Sequence, residues 1–198
     1  MCGRFALRNP EPLLGKLDRF DLEPQFNIAP GSKIILETDK LITAKWGFTP
    51  YWANESFDLI NARSETLWKK NSFKDSSKCL IPADGWYEWK VTEGRKVPYF
   101  FENKGESFFF AGIYGGYRGE LGAAIVTMEA SSHLKHVHNR MPVLINEKNK
   151  ADWLDKNLIN SNNSSLVEAI NYYQVSTFVN NPTNQGKQCV EEIQGVER

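Results

Sequence analysis

The sequence predicts an α+β fold: a mainly antiparallel, curved, barrel-like β-sheet core flanked by short helices. Three observations carry this. Runs rich in β-branched and aromatic residues recur at Lys33–Glu37, Leu41–Trp46, Val97–Glu102, Ser107–Tyr114 and Ala123–Met128, each bounded by glycine or polar turn residues. Helical stretches are few and short. At 198 residues the chain is long enough to bury a substantial core yet fits a single domain, 1–198, with a polar tail from about residue 191.

Taken in order, Leu13, Leu14, Leu17 and Phe20 recur at helical spacing behind Pro10 and Pro12, so Asn9–Leu22 reads as a short amphipathic helix. Phe26–Gly31 is turn-like, and the strands Lys33–Glu37 and Leu41–Trp46 are joined by the polar Thr38-Asp39-Lys40. Trp46–Trp52 places four aromatics in seven residues around Gly47 and Pro50, a loop that either exposes rings or buries them beneath itself. Asn61–Thr66 opens a helix running to Lys70, and Ser72–Lys78 is a polar linker. Cys79–Pro82 reads as a buried strand end, Ala83-Asp84-Gly85 as a turn, and Trp86–Trp89 as an extended segment. After the three central strands, Glu129–Val137 is partly helical, Asp152–Leu158 is a helix, and Ser164 or Ser165 caps a helix over Leu166–Tyr173. Val175–Val179 is a last strand.

Composition narrows the function classes. Lysine plus arginine and aspartate plus glutamate are equal at 24 each, so broad attraction to polyanions is excluded and any anion site must be a local patch. Three widely spaced cysteines, Cys2, Cys79 and Cys189, do not make a secreted disulfide framework and point to a reducing compartment. No apolar run reaches the roughly 20 residues a membrane span needs. A protein of a reducing cytosol or nucleus is expected, with no membrane partner. No internal repeat, GxGxxG pattern or phosphate-binding loop motif is present.

The chemistry starts at the second residue. Removal of Met1 would leave Cys2 with an α-amine that titrates near about 8 beside a thiol near about 8.5. Such a pair can form an imine with an aldehyde and close a five-membered thiazolidine. In an extended Trp86–Trp89 segment, Glu88 shares a face with Trp86, where desolvation would raise its carboxyl toward neutrality and suit it to proton transfer. Three histidines, His133, His136 and His138, lie within six residues, but no second cluster of ligands accompanies them, so no metal or other cofactor is expected. His138, beside Arg140 at a proline-terminated turn, is the best single acid/base candidate. Arginines and lysines interleaved with Trp46, Phe48, Trp52 and Trp86 offer phosphate contacts and stacking faces for a single strand. Three chemistries stay open on residues alone: covalent aldehyde capture, a cysteine hydrolase pairing Cys2 with His138, and a noncovalent single-strand binding module.

Six ordered motifs carry a family resemblance: Met1-Cys2-Gly3-Arg4-Phe5, Asn27-Ile28-Ala29-Pro30, Trp46-Gly47-Phe48 with Pro50 and Trp52, Asn61–Thr66, Cys79–Trp89, and His138–Pro142. The set resembles the SRAP family of abasic-site processing proteins from residue 1 to about Val190. That resemblance implies capture of the ring-opened abasic deoxyribose in single-stranded DNA as a thiazolidine on mature Cys2, by a monomer. It implies Asn61 orienting Cys2, Glu88 transferring protons for imine formation and His138 promoting sugar opening. Arg4, Arg63 and Arg140 would hold phosphates, with Trp46, Phe48 and Trp52 along the strand. It also implies lyase-type Schiff-base chemistry and self-assisted removal of Met1. Trp86 stands where the family often has Phe, and Asn139 where Asp is common.

Overall fold

Residues 2–10, 23–155 and 164–194 are described by the computed structural model of the protein. The helix expected over Asn9–Leu22 lies almost entirely outside them. The elements run β1 Phe5–Leu7, β2 Gln25–Ile28, β3 Lys33–Glu37, β4 Leu41–Trp46, β5 Asn61–Arg63, β6 Ser77–Ala83, β7 Gly85–Thr92 and β8 Arg95–Glu102. They continue with β9 Phe108–Tyr117, β10 Glu120–Glu129, β11 Arg140–Pro142, β12 Leu144–Ile145, α1 Lys150–Leu154, α2 Ser164–Ala169 and β13 Asn171–Gln174.

Two sheets form. In the larger, β3 pairs with β4, β4 with β10, β10 with β9, β9 with β6, and β6 with β3 again. The ladder therefore closes on itself as a five-stranded barrel, which leaves these strands without open edges. All of its pairings are antiparallel except β4–β10. The second sheet has the order β13-β8-β7-β1-β2. This is the α+β, barrel-like architecture the sequence predicts.

The strands β6, β9 and β10 are buried on both faces over most of their length, and alternation along the strands assigns their buried side chains to one of three cores. Along β9, Phe108 and Phe110 enter the core shared with the second sheet, whereas Phe109 and Ala111 enter the core beneath α1 with Trp153. Along β7, Trp86 faces the shared core and Tyr87 the opposite face, which the C-terminal segment covers with Val175, Val179 and Cys189. Trp86 stacks on Phe101 at 4.9 Å and meets Phe110 edge-on, while Phe5 meets Trp46 edge-on at 5.1 Å. The contacts of Trp86 with Phe110 and of Phe5 with Trp46 hold the second sheet to the barrel, each contributing about 0.5–1.5 kcal/mol beyond its buried area. Gly85 permits β7 to approach β8, because a Cβ there would lie 2.1 Å from the Phe100 ring.

Several local expectations are corrected. Asn61–Arg63 is not a helix start but a strand pairing in parallel with Ile125–Thr127, followed by a 3-10 turn at Ser64–Thr66. Long-range pairing overrides the local pattern there. Phe26–Ile28, expected as a turn, belongs to β2, and the turn begins at Pro30. The linker before Cys79 already extends into β6 at Ser77. In the stretch Glu129–Val137, Glu129 still belongs to β10 and Ser132–Val137 forms turns rather than helix. The helix assigned to Leu166–Tyr173 ends at Ala169, and Tyr172 and Tyr173 pair with β8 instead. Val175–Val179 becomes a 3-10 turn over Thr177–Asn180, and a bridge from Val175 to Glu192 ties down the start of the polar tail. No helix among the described residues is long and apolar enough to cross a membrane.

Candidate active site

Cys2, Asn61, Glu88 and His138 come together where the two sheets meet. The antiparallel pairing of β1 with β7 sets Phe5 opposite Trp86, so the residues before Phe5 run alongside those after Trp86 and bring Cys2 to Glu88. Asn61 and His138 come from the barrel. The long strand β10 pairs over its first half with β9 and β4 and over its second half with β5 and β11, which places Asn61 and the His138–Arg140 turn around one end.

Cys2 is fully buried, and its thiol points toward the carbonyl of Arg4 at 3.8 Å. Asn61 Nδ2 donates to the Cys2 carbonyl at 2.8 Å, fixing the residue's main chain. The Asn61 Oδ1 acceptor is buried without a hydrogen-bond partner among the described residues. Burial, with the Glu88 charge adding to it, pushes the Cys2 thiol well above its ordinary value. A resting thiolate is therefore disfavoured.

Glu88 is only 3% exposed, and desolvation raises its carboxyl from 4.5 to about 7. A carboxyl poised there exchanges a proton readily at neutral pH. His138 Nδ1 lies 4.0 Å from Glu88 Oε2, beyond hydrogen-bonding distance but within one small adjustment of it. The backbone N–H of Arg140 donates to the same Nδ1 at 3.0 Å. Nδ1 also sits 3.2 Å from the Arg140 carbonyl, but the shorter contact comes from a group that can only donate, so Nδ1 accepts and the neutral ring carries its proton on Nε2. Burial lowers the His138 pKa, which favours that neutral form.

The arginines expected at the site are placed differently from one another. Arg4 is tied inward, donating to Asn27 Oδ1 at 2.7 Å and to the Val179 carbonyl at 2.9 Å, with its guanidinium over Trp89. Arg63 is exposed and has no carboxylate partner among the described residues. Arg140 forms a two-pronged pair with Glu65 and donates to the Thr127 carbonyl at 2.7 Å. Trp46 and Phe48 are buried, with Trp46 Nε1 bonded to the Ile60 carbonyl at 3.0 Å, so neither offers a face to a bound strand. The exposed rings nearby are Tyr51 at 70%, Trp52 at 44% and Phe57 at 42%, with Trp52 and Phe57 edge-on at 5.9 Å. His133 and His136 remain apart from this cluster; among the described residues no three metal-ligating side chains converge.

Two supports are invisible in a residue-by-residue reading. Asn27 holds Arg4 with its oxygen and, with its amide nitrogen, bonds the carbonyls of Val179, Asn181 and Asn184. Glu65 and Thr127 hold Arg140. Asn27 and Glu65 stand inside the ordered motifs, which was their one signal.

The model of the SOS response associated peptidase (SRAP) family matches residues 1–182 of this chain. The abasic site processing protein YoqW of Bacillus subtilis is 32% identical, the alignment covering 96% of this chain and 99% of the relative. The abasic site processing protein YedK of Escherichia coli is 29% identical over 98% of this chain and 100% of its own length. A crystal structure of a protein from Bacteroides thetaiotaomicron superimposes with a TM-score of 0.79 at 22% identity, covering 97% of this chain and all of that one, which shows a shared fold.

Proposed function

The chain belongs to the SRAP family, and from that premise we propose that it captures abasic sites in single-stranded DNA as a covalent thiazolidine on Cys2. The observation that carries this reading is the convergence of Cys2, Asn61 and a near-neutral Glu88 in one buried cluster. Its relatives' names supply the lesion.

Hydrolysis of the Met1–Cys2 peptide bond, self-assisted or by an aminopeptidase, exposes the Cys2 amine. Neutral His138, with its proton on Nε2, promotes opening of the lesion's sugar to the C1′ aldehyde. The amine adds to that carbon to give a carbinolamine. Glu88, titrating near neutrality, protonates the departing hydroxyl so that one water leaves and an iminium remains. The Cys2 sulfur then bonds to the same carbon as its proton passes to a base, and the ring nitrogen ends neutral. The balance is aldehyde plus aminothiol giving thiazolidine plus water. Asn61, through the Cys2 carbonyl, holds amine and thiol on one side of the incoming carbon. Because burial disfavours a resting thiolate, the amine acts first and the sulfur closes the ring. The same burial disfavours the thiolate–imidazolium pair a cysteine hydrolase would need. Arg4, Arg63 and Arg140 supply positive charge for the flanking phosphates, and Trp52 supplies a stacking face.

The test is an adduct assay. Processed protein is incubated with a single strand bearing one abasic site and resolved on a denaturing gel. A shifted band is expected for the native protein and none for Cys2→Ala, whose imine is hydrolysed on denaturation unless trapped by borohydride. A stable band in Cys2→Ala without borohydride would overturn the mechanism, and equal noncovalent binding with no adduct by the native protein would select a simple single-strand binder.

A further inference from the structure

The Arg140 guanidinium is largely enclosed, its side chain 15% exposed, whereas Glu65 opposite is 50% exposed. Both carboxylate oxygens meet the guanidinium fork, Oε1 on Nη1 and Oε2 on Nη2 at 3.1 Å. Planar carboxylate and phosphate oxygens fit that fork with the same two-pronged geometry. The outward edge of Arg140 is therefore already filled by an anion of the protein's own. Glu65 is not needed to aim the guanidinium, because Nη2 also donates to the Thr127 carbonyl at 2.7 Å and lies 3.3 Å from its hydroxyl. Thr127 sits within β10, directly opposite Arg63 in the β5 ladder, so this anchor belongs to the rigid barrel. Glu65 instead rides on a single 3-10 turn and can swing to water at small cost. The other carboxylate near Arg140, Glu129, is engaged by Lys135 at 2.6 Å and makes no contact with the guanidinium.

We propose that Glu65 is an internal phosphate mimic that occupies the Arg140 fork in the free protein and must be displaced by a strand phosphate. The proposal rests on the reading that Arg140 is a phosphate contact. Its consequence is a threshold against intact DNA: each encounter gives up one ion pair to form another, so the net gain from Arg140 is small until covalent capture at Cys2 holds the strand. Neighbouring Arg63, without such a mimic, provides the first attraction.

The experiment measures fluorescence anisotropy of a labelled intact single strand across a salt series, with native protein, Glu65→Gln, Glu65→Ala, Glu129→Gln, Arg140→Ala and the Glu65→Gln/Arg140→Ala double variant. Both Glu65 variants should bind the intact strand about two- to fivefold more tightly, the range a partly exposed ion pair spans. Their salt dependence should steepen by about 0.7 in log–log slope, one added phosphate contact. Glu129→Gln removes a like charge from the same region and should do less. The double variant should bind no better than Arg140→Ala, since the mimic matters only through its arginine. Glu65 variants that bind equally or more weakly, or a double variant that still gains over Arg140→Ala, would overturn the mimic. A double variant that binds as tightly as Glu65→Gln would instead remove the phosphate reading beneath it.

Discussion

Replacing Glu88 with glutamine tests the central claim about this site, that its carboxyl is held by burial in a state suited to proton transfer at a cost in stability. The carboxyl rises from 4.5 to about 7 because it is desolvated. The unfolded chain ionises near 4.5, so below that pH both states hold the proton and Glu88 costs nothing. As pH climbs from 4.5 to 7 the unfolded state releases its proton freely while the folded state resists, and stability is lost progressively until the folded group also ionises. At about 1.4 kcal/mol per tenfold change in proton affinity, the whole interval amounts to about 3 kcal/mol. Glutamine keeps the shape and removes the charge. Glu88→Gln should therefore be as stable as the native protein at pH 4 and more stable by about 3 kcal/mol at pH 8, or about 6–12 °C in Tm for a domain of this size. Urea unfolding of both proteins across that range is the assay, with the adduct assay alongside, where the variant should be slowed about 100-fold or more as a lost general acid/base. Equal stability at pH 8, or a difference unchanged between pH 4 and pH 8, would refute the assignment of the shift to desolvation of this carboxyl.

Three further outcomes follow from the same geometry. Asn61→Ala removes the 2.8 Å bond to the Cys2 carbonyl; adduct formation should slow about tenfold, the worth of one such hydrogen bond, with strand affinity unchanged in anisotropy. Trp52→Ala should weaken strand binding by about 1–3 kcal/mol, the value of one stacked base, with little change in thermal melting. Phe48→Ala should do the reverse, costing about 3–5 kcal/mol in urea unfolding because it empties a buried site against Phe73, while strand affinity in the variant that still folds stays near native.

The sequence by itself determined the parts of this protein that depend on local pattern. The strands β3, β4, β8, β9 and β10 were legible because alternating apolar runs are bounded by glycine and polar turns, and a pleated strand needs no other instruction to separate its two faces. The placement of Glu88 on the Trp86 face followed from the same period of two, and the capacity of Cys2 for aldehyde chemistry followed from its position beside a removable methionine. Tertiary structure decided the rest, for one physical reason: a short segment takes the conformation its distant partner offers. Asn61–Arg63 became a strand because Ile125–Thr127 pairs with it, and Tyr172 and Tyr173 left their helix to pair with Phe101 and Phe100. Trp46 and Phe48 are buried because the loop after them returns to pair Phe48 with Leu59 and carries the Ile60 carbonyl to the Trp46 indole, leaving Trp52 as the exposed ring. No spacing rule brings Glu65 to Arg140 or Asn27 to Arg4. Those contacts exist because the barrel closes and the second sheet packs against it, which brings side chains separated by tens of residues into contact and changes what each can do.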